Sequence, residues 1–253
     1  VGALKQSLKM ALRRRSNGTF KIVSGGRRSY LVNIRNIMRI CIVSGHTTSG
    51  KGTGAKGYIC ESTQNRVVAK KVVDYLKKEG HYVVYGEINN SSNYLAEQVA
   101  IANKEKFDLV VQIHFNAGGG TGTETLYTSS TGQKYATQIT NRLGVLYKQR
   151  GAKKRTDLYW LNKTKYPSVL VEVCFVDSKV DTDKYLTNTD YTARLIAEGI
   201  QGKEIVEKPP TQASTALYRV IVGSYSNKDN AQKALQDAKA KGYSSAFIQE
   251  VIK

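Results

Sequence analysis

Two of the three histidines in this chain directly follow apolar segments that are typical of buried β-strands. His46 ends the sequence Cys-Ile-Val-Ser-Gly-His, and His114 follows Leu-Val-Val-Gln-Ile. A third apolar segment, Ser168–Val173, contains Glu172 among branched residues. The carboxyl ends of strands in alternating α/β chains meet at one edge of the sheet, where such proteins place their sites. We therefore expect the two histidines and the glutamate to lie close together.

The two histidines and a nearby glutamate form a ligand set that suits a catalytic zinc ion. Hydrolytic zinc sites usually have three protein ligands, often two histidines and a carboxylate, and keep one position open for water. His46, Glu61 and His114 supply this set. The glycine-rich loop 45–57 allows the chain between His46 and Glu61 to fold back around a metal. Zinc lowers the pKa of water toward neutrality, and the resulting hydroxide can attack an amide carbon.

Glu172 is the residue that could move the proton in such a reaction. Hydrolysis of an amide requires a group that takes a proton from water and delivers it to the leaving amine. Glu172 lies among apolar residues, and loss of solvation raises the pKa of a carboxyl group. The sequence therefore predicts Glu172 as the catalytic acid and base.

Each of these residues also has a purely structural interpretation, which the residues alone leave open. A histidine at a strand end more often makes a hydrogen bond than binds a metal. Glu61 is an ordinary acid in the first turn of a helix, where the helix dipole favours it. A structural Glu172 needs a lysine or arginine from a neighbouring strand, because unpaired carboxylates are rarely buried. For His81 we predict no role in the site.

The hydrophobic pattern from Arg39 onward alternates between the periods of strands and helices, which predicts an α/β domain over residues 38–202. The predicted strands cover residues 39–44, 82–85, 109–113, 123–127, 158–161 and 169–175, and the predicted helices cover residues 61–79, 94–106, 132–150 and 191–201.

The formal net charge of +19 is distributed unevenly along the chain. Residues 1–37 contain nine basic and no acidic residues, residues 38–202 contain 22 and 15, and residues 203–253 contain eight and five. A basic protein attracts anionic partners such as nucleic acid or the teichoic acids and peptide carboxylates of a bacterial wall. We expect residues 1–37 to be a disordered or non-native extension. No nucleic-acid-binding motif accompanies the remaining charge, so nucleic acid is not an expected partner.

The apolar segments and the cysteines exclude two further classes of protein. No stretch approaches the roughly 18–20 apolar residues that a membrane span requires, so we expect no membrane span. The three cysteines are odd in number and far apart, which argues against a disulfide framework or a thiolate zinc site. We expect them to be small buried hydrophobic residues.

A small second module is predicted at the carboxyl end of the chain. Residues 203–216 contain two of the three prolines among polar and small neighbours, which is typical of a linker. Residues 217–253 then predict a strand, a helix and a strand. Such a βαβ unit is small for an independent core. We expect it to pair with a copy from another chain or to dock on the main domain.

Four ordered motifs resemble one enzyme family. Gly45-His46, the glycine-rich loop to Glu61, His114-x-Asn116-Ala117 and Val171-Glu172 are similar to the zinc-dependent N-acetylmuramoyl-L-alanine amidases of the amidase_3 type. These enzymes occur in bacterial autolysins and phage endolysins. The resemblance covers residues 38–202.

The resemblance implies a fold and a role for each matched residue. The fold is α/β, with a mixed, mostly parallel sheet flanked by helices. One Zn²⁺ is bound by His46, Glu61 and His114, and Glu172 is the catalytic carboxylate. Asn116 matches a motif residue that lies beside the site on the substrate side.

Residues 217–253 resemble one repeat of a SPOR domain, a module that binds peptidoglycan glycan strands. The similarity lies in the segment that begins Tyr-Arg-Val-Ile-Val-Gly-Ser-Tyr at Tyr218 and in Ala240-Lys241-Gly242-Tyr243. A complete SPOR domain has two βαβ halves, and only one is recognisable here. The resemblance implies binding to the cell wall, and the missing half implies homodimerisation through the module, truncation or lost binding.

The function expected from these features is hydrolysis of peptidoglycan at the amide between the muramic acid lactyl group and L-alanine. A non-catalytic peptidoglycan-binding protein with the same fold is the alternative. Phage lysin and host autolysin are both compatible with the motifs. The first would be cytoplasmic until lysis and then act on the wall, and the second would be released without a recognisable signal peptide.

Overall fold

The computed structural model describes residues 19–24, 28–33, 37–206, 223–243, 246–248 and 250. The chain divides into two compact units, Val1–Ile205 and Val206–Lys253. The first unit contains the six-stranded sheet that carries the candidate site.

The central sheet is mixed and mostly parallel, as the resemblance implies. Its strand order is β4-β3-β5-β8-β6-β7, and all neighbouring pairs are parallel except β6 and β8. The strands are β3 (Arg39–Ser44), β4 (Tyr82–Gly86), β5 (Leu109–Asn116), β6 (Thr123–Tyr127), β7 (Gln149–Lys154) and β8 (Ser168–Phe175).

Helices cover both faces of this sheet, which explains why its central strands are almost continuously apolar. Alternate residues of β3 belong to two different cores: Ile40 and Ile42 to one, Cys41 and Val43 to the other. The helices of the first unit are α1 (Glu61–Lys78), α2 (Tyr94–Asn103), α3 (Ser130–Leu143), α4 (Tyr159–Lys163), α5 (Lys179–Thr187) and α6 (Thr189–Gln201). Helices α1, α3 and α6 pack on the first face, and α2 and α4 on the second.

Most of the predicted elements are present, but β5 is longer than predicted. It continues to Asn116, so His114 and Asn116 are strand residues rather than loop residues. Hydrogen bonding to β8 extends β5, with a register shift between these two residues. The predicted helix 94–106 ends earlier, at Asn103.

The segment between β6 and β8 departs most from the sequence prediction. Helix α3 ends at Leu143, directly before Gly144, and Gln149–Lys154 forms a strand instead of extending the helix to residue 150. Pairing with β6 outweighs the weak β-propensity of this basic segment. Residues 158–161, predicted as a strand, instead form the N-cap and first turn of α4, whose Trp160 and Leu161 are buried. Helix α5 was not predicted.

The basic leader contains regular structure that the sequence analysis did not predict. β1 (Thr19–Ser24) and β2 (Arg28–Asn33) form an antiparallel pair. Their sequences are rich in β-branched, aromatic and other apolar residues and are separated by a glycine pair, a composition typical of a hairpin. The interpretation of residues 1–37 as a disordered or non-native extension stays a prediction, and β1 and β2 are the parts of this leader that the structure describes. Residues 1–18, 25–27 and 34–36 lie outside the described part of the chain.

The described part of the second unit is mainly one helix. α7 (Lys228–Ala240) confirms the predicted helix, and the Asn227 side chain caps it by accepting hydrogen bonds from the backbone N–H groups of Asp229 and Asn230. The two predicted strands of this unit lie largely outside the described residues. In the described part of the chain, no helix combines the length and the apolar character that crossing a bilayer requires.

Candidate metal centre

The fold brings His46, Glu61 and His114 together at the carboxyl ends of β3 and β5. Glu61 Oε1 lies 3.1 Å from His46 Nε2 and 3.0 Å from His114 Nδ1. The two imidazole rings meet edge to face, with 4.7 Å between their centroids. One candidate ligand atom from each residue lies within 4.8 Å of the others, so the three side chains form a compact donor set.

His46 is held in one orientation by the loop that follows it. The backbone carbonyl of Gly52 lies 3.0 Å from His46 Nδ1, which can donate a hydrogen bond to it. A proton on Nδ1 leaves Nε2 unprotonated and directed at Glu61. Metal-binding histidines are commonly oriented by such a hydrogen bond on the second ring nitrogen.

The backbone around His46 is unusual and is supported by buried polar side chains. His46 has φ of +60°, which is uncommon for a residue other than glycine. Arg66, on α1, donates to the carbonyl oxygens of His46 and Ile88 at 3.0 and 2.8 Å. Asn65 Nδ2 donates to the carbonyl oxygen of Gly45 at 2.7 Å. These contacts fix the chain where β3 ends.

Two glycines allow the loop to approach the three side chains closely. A Cβ atom on Gly54 would lie 2.7 Å from Glu61 Oε2 and 2.8 Å from His46 Cδ2, and Gly54 has φ of +75°. A Cβ atom on Gly45 would lie 2.2 Å from His114 Nε2. Larger residues at either position would displace the donor set.

Glu61 is the first residue of α1, and both of its oxygens are engaged. Oε1 also accepts from the N–H of Phe115 at 3.1 Å, and Oε2 accepts from the N–H of Ala55 at 2.8 Å. Burial favours the neutral acid, but the interactions of Glu61 with His114 and then His46 outweigh it and hold the pKa of Glu61 well below its usual range. Burial lowers the pKa of His114, despite the opposing effect of Glu61. A charged carboxylate and a neutral imidazole are the forms that bind a metal.

These donors fit a zinc ion. In tetrahedral sites the bonds from zinc to nitrogen and oxygen are about 2.0–2.2 Å, which places neighbouring ligand atoms roughly 3.3 Å apart. The two nitrogen-to-oxygen separations at Glu61 are close to this value. The loop glycines leave the space that the donor set occupies free of other side chains.

Glu172 lies beside the donor set. It is directly opposite His114 in the register of β5 and β8, and its Oε2 is buried without a hydrogen-bond partner among the described residues. Burial, followed by the negative charges of Glu61 and Glu124, raises the pKa of Glu172 to about 8, while Arg155 acts in the opposite direction. The salt bridge that a structural role for Glu172 required is not formed in the described part of the chain. Its geometry suits a proton carrier.

Asn116 and Glu124 continue the row of polar residues across the sheet. Asn116 Nδ2 donates to Glu124 Oε1 at 3.1 Å, and Glu124 is opposite Glu172 in the antiparallel register of β6 and β8. The family motif points to Asn116, and no motif points to Glu124. The strand pattern alone could have indicated that Glu124 is buried, because it lies two residues from the buried Leu126 and therefore on the same face of β6. Arg66 had no such signal, since it lies on a helix with many basic residues.

His81 lies outside the donor set, and two of the three cysteines are buried as predicted. His81 Nδ1 accepts from the backbone N–H of Met38 at 3.1 Å, and its Nε2 lies 3.2 Å from the side-chain oxygen of Gln201. Cys41 and Cys174 are buried, whereas Cys60 is partly exposed directly before α1.

The fold and the site define an α/β protein with a His-Glu-His donor set and an adjacent carboxylate. The sequence profile of the Amidase_3 family, described as N-acetylmuramoyl-L-alanine amidase, matches residues 40–202. The chain belongs to this family. A SPOR domain profile matches residues 189–249, which begins before the predicted boundary at residue 217 and overlaps the amidase match over 189–202.

Related proteins agree with this assignment. An uncharacterized protein of Clostridium perfringens is 38% identical over 191 residues, which are 69% of this chain and 56% of that protein. The sporulation-specific N-acetylmuramoyl-L-alanine amidase of Bacillus subtilis is 29% identical over 221 residues, 84% of this chain and 85% of the enzyme. The catalytic domain of the CD27L endolysin, which targets Clostridia Difficile, is 36% identical with a TM-score of 0.63 and covers 67% of this chain and 99% of that domain. This chain spans little more than half the length of the C. perfringens protein.

Proposed function

We propose that this protein is a zinc-dependent N-acetylmuramoyl-L-alanine amidase. It hydrolyses the amide between the muramic acid lactyl group and the L-alanine of the stem peptide. The observation that carries the proposal is the position of Glu172 opposite His114 and beside the donor set of His46, Glu61 and His114. Its Oε2 is buried and has no hydrogen-bond partner among the described residues.

His46 Nε2, Glu61 Oε1 and His114 Nδ1 would hold one Zn²⁺. When bound, zinc supplies a Lewis acid for the amide carbonyl and lowers the pKa of water. Gly52 orients His46 for this task through its carbonyl oxygen, and the N–H groups of Ala55 and Phe115 orient Glu61. The protein thus supplies charged and neutral donors in fixed positions.

Glu172 carries the proton between the attacking water and the leaving amine. As a carboxylate it accepts a proton from water while the oxygen attacks the amide carbon. As the acid it then donates this proton to the nitrogen of L-alanine when the carbon–nitrogen bond breaks. Without metal, burial raises the pKa of Glu172 to about 8, and the positive charge of a bound zinc ion would lower it toward the ordinary range, so both protonation states are accessible near neutral pH.

A non-catalytic peptidoglycan-binding protein is the alternative to this proposal. The complete donor set and the neighbouring carboxylate favour the enzyme, since binding alone requires neither. Mass spectrometry of purified cell walls treated with the protein separates the two. We expect free lactyl carboxyl groups on muramic acid and new amino termini at L-alanine, and both must disappear with a zinc chelator. Walls with intact amides would contradict the amidase, and broken glycan strands would indicate a different hydrolase.

Each predicted domain has its own proposed function. Residues 38–202 form the catalytic domain, residues 203–216 the linker, and residues 217–253 the module that binds the cell wall. The match to a SPOR domain profile supports the last assignment. Pairing of two copies through this module has no support from the comparisons and stays a prediction. Co-sedimentation with purified walls tests the module: a chain that ends at residue 202 should remain largely in the supernatant under conditions that pellet the full chain.

A further inference from the structure

A second cluster of charged side chains lies next to Glu172, on the side of the sheet formed by β6 and β7. Glu124 is buried and directly opposite Glu172 in the strand register. Its Oε2 accepts from Arg150 Nε at 2.7 Å and from Lys153 Nζ, and its Oε1 accepts from Asn116. Two cations from β7 are therefore held by one carboxylate.

An irregularity in β7 makes this arrangement possible. In a regular strand, residues three positions apart lie on opposite faces, so Arg150 and Lys153 could not both reach Glu124. The register of β6 and β7 shifts between Thr123 and Thr125, and Gly151 has φ of +85°. Such bulges redirect side chains and are frequent beside active sites. Here the bulge directs both cations to the face that carries Glu172.

Arg150 and Lys153 together carry one more positive charge than the Glu124 carboxylate neutralises, and both side chains are partly exposed to solvent. Burial alone would raise the pKa of Glu124, but its hydrogen bonds with Lys153 and Arg150 outweigh it, so the carboxylate stays ionised. The side chains of Arg150 and Lys153 are still 32% and 43% exposed. The guanidinium carbon of Arg150 lies 5.0 Å from the centroid of the Phe175 ring, which fixes its plane. In the described part of the chain the terminal nitrogens of Arg150 have no acceptor.

A guanidinium with free terminal nitrogens is well suited to a carboxylate, because its paired N–H donors match the two oxygens. Neighbouring strands are about 4.8 Å apart, so β7 is roughly 10 Å from β8 and Glu172. An extended peptide advances about 3.5 Å per residue. The side chains of Arg150 and Lys153, however, reach Glu124 on the intervening strand β6, so their charged ends lie about one strand spacing, roughly 5 Å, from Glu172. The second residue of a peptide that runs from Glu172 toward β6 lies about 7 Å from the scissile amide, and this cluster is therefore within its reach.

We propose that Arg150 and Lys153, positioned by Glu124, form a subsite for a free carboxylate on the residue that follows L-alanine in the stem peptide. This inference rests on the proposed amidase function and adds a preference within it. Stem peptides with D-isoglutamate at the second position carry such a carboxylate, and those with D-isoglutamine carry an uncharged amide. The protein should prefer the former.

The test compares two soluble N-acetylmuramoyl tripeptides that differ only in D-isoglutamate or D-isoglutamine at the second position. For the wild-type protein with zinc, we expect kcat/KM to be about tenfold higher for the carboxylate, the effect of one charged hydrogen bond. Arg150→Gln and Lys153→Gln should each reduce this ratio toward one, mainly through KM. Lys154→Gln is the matched control, because Lys154 is exposed, adjacent on β7 and contributes nothing to Glu124. It should keep the wild-type ratio.

Three results would overturn the subsite alone, and a fourth would overturn the amidase function as well. Equal loss of activity on both substrates would show that Arg150 and Lys153 only stabilise β7. An unchanged ratio would show that the carboxylate binds elsewhere. Competition by soluble glycerol phosphate polymer that Arg150→Gln abolishes, without any substrate preference, would assign the cluster to a wall phosphate. Cleavage of neither substrate by the wild-type protein would contradict the amidase function itself, and with it the subsite.

Discussion

His114 and Glu172 lie directly opposite each other on the parallel strands β5 and β8. The distance between a candidate metal ligand and the candidate proton carrier is therefore set by backbone hydrogen bonds in the middle of the sheet. His46 is different, because it lies beyond the end of β3 in a loop fixed by glycines and by Arg66. The site thus combines a rigid pair with a ligand whose position depends on its loop.

Replacing the carboxyl group of Glu172 should separate catalysis from metal binding. In Glu172→Gln the proton carrier is lost while His46, Glu61 and His114 are unchanged, so we expect kcat to fall by roughly 10²–10⁴-fold. The bound zinc, measured by elemental analysis, should remain at the wild-type level. Glu97→Gln changes an exposed glutamate on α2 and is the control. Turnover by Glu172→Gln close to the wild-type rate would exclude the assigned role.

The raised pKa of Glu172 predicts a pH-dependent cost to the stability of the metal-free protein. Its pKa is about 8 in the folded chain, against an ordinary value of 4.5. Between these values the folded state holds a proton that the unfolded state has lost, so this residue lowers the free energy of unfolding as pH rises through that window. Because the side chain is only partly buried, we expect about 1–3 kcal/mol rather than the full effect.

Urea unfolding in the presence of a chelator measures this effect. The difference in the free energy of unfolding between Glu172→Gln and the wild type should favour the variant more at pH 8 than at pH 5. Taking the difference cancels the titration of His114, whose lowered pKa acts in the opposite direction. A difference that does not depend on pH would show that Glu172 ionises normally.

The close approach of Gly54 to the donor set predicts a selective loss of zinc affinity. An alanine Cβ at this position would contact Glu61 and His46, whereas a Cβ on Gly80 would meet nothing within 4 Å. Both glycines have positive φ, so Gly54→Ala and Gly80→Ala should each cost about 1 kcal/mol of stability. Only Gly54→Ala should weaken zinc binding, by about tenfold or more in a competitive titration. Similar zinc affinities for the two variants would contradict the proposed geometry.

Arg66 should act on the metal site through the backbone of His46. Its guanidinium donates to four carbonyl oxygens, of residues Gly45, His46, Ser62 and Ile88. In Arg66→Met each of these carbonyl oxygens loses one donor, and Gly45 keeps only that of Asn65, so we expect a loss of about 3 kcal/mol in unfolding free energy. Zinc affinity should also fall by about tenfold.

Lys70→Met, one turn further along α1, is the control for Arg66→Met. Lys70 is exposed and contacts Glu87. This substitution should change stability by less than about 0.5 kcal/mol and leave zinc binding intact. Unchanged zinc affinity in Arg66→Met would limit the role of Arg66 to general stability.

Zinc should raise the unfolding temperature only when the donor set is complete. A ligand at 100 times its Kd stabilises the folded state by about 2.7 kcal/mol, which a thermal unfolding experiment with and without zinc detects readily. His114→Ala should lose most of this shift. His81→Ala is the control, because His81 only hydrogen-bonds Met38 and Gln201. A zinc-dependent shift that survives in His114→Ala would place the metal elsewhere.

Residue types and order were sufficient to predict the donor set and the core strands. His46 and His114 follow apolar segments that are typical of strands buried on both faces, a local pattern that does not depend on distant contacts. Glu172 was recognisable because a carboxylate among branched residues is rare. The strands β1 and β2 were not predicted because the high positive charge of residues 1–37 indicated a disordered segment. Strand β7 was not predicted because its basic sequence has weak β-propensity, and it forms a strand only through pairing with β6.

By itself, the sequence identified the candidate groups for chemistry: two imidazoles, a carboxylate in the first turn of a helix and a carboxyl group on a buried strand. Only the tertiary structure determined the positions of these groups relative to one another. The register of β5 and β8 brings His114 opposite Glu172, and the bulge in β7 turns Arg150 and Lys153 toward Glu124. Side-chain periodicity is local and readable along the chain. Strand register and bulges depend on hydrogen bonds between segments that are far apart in sequence.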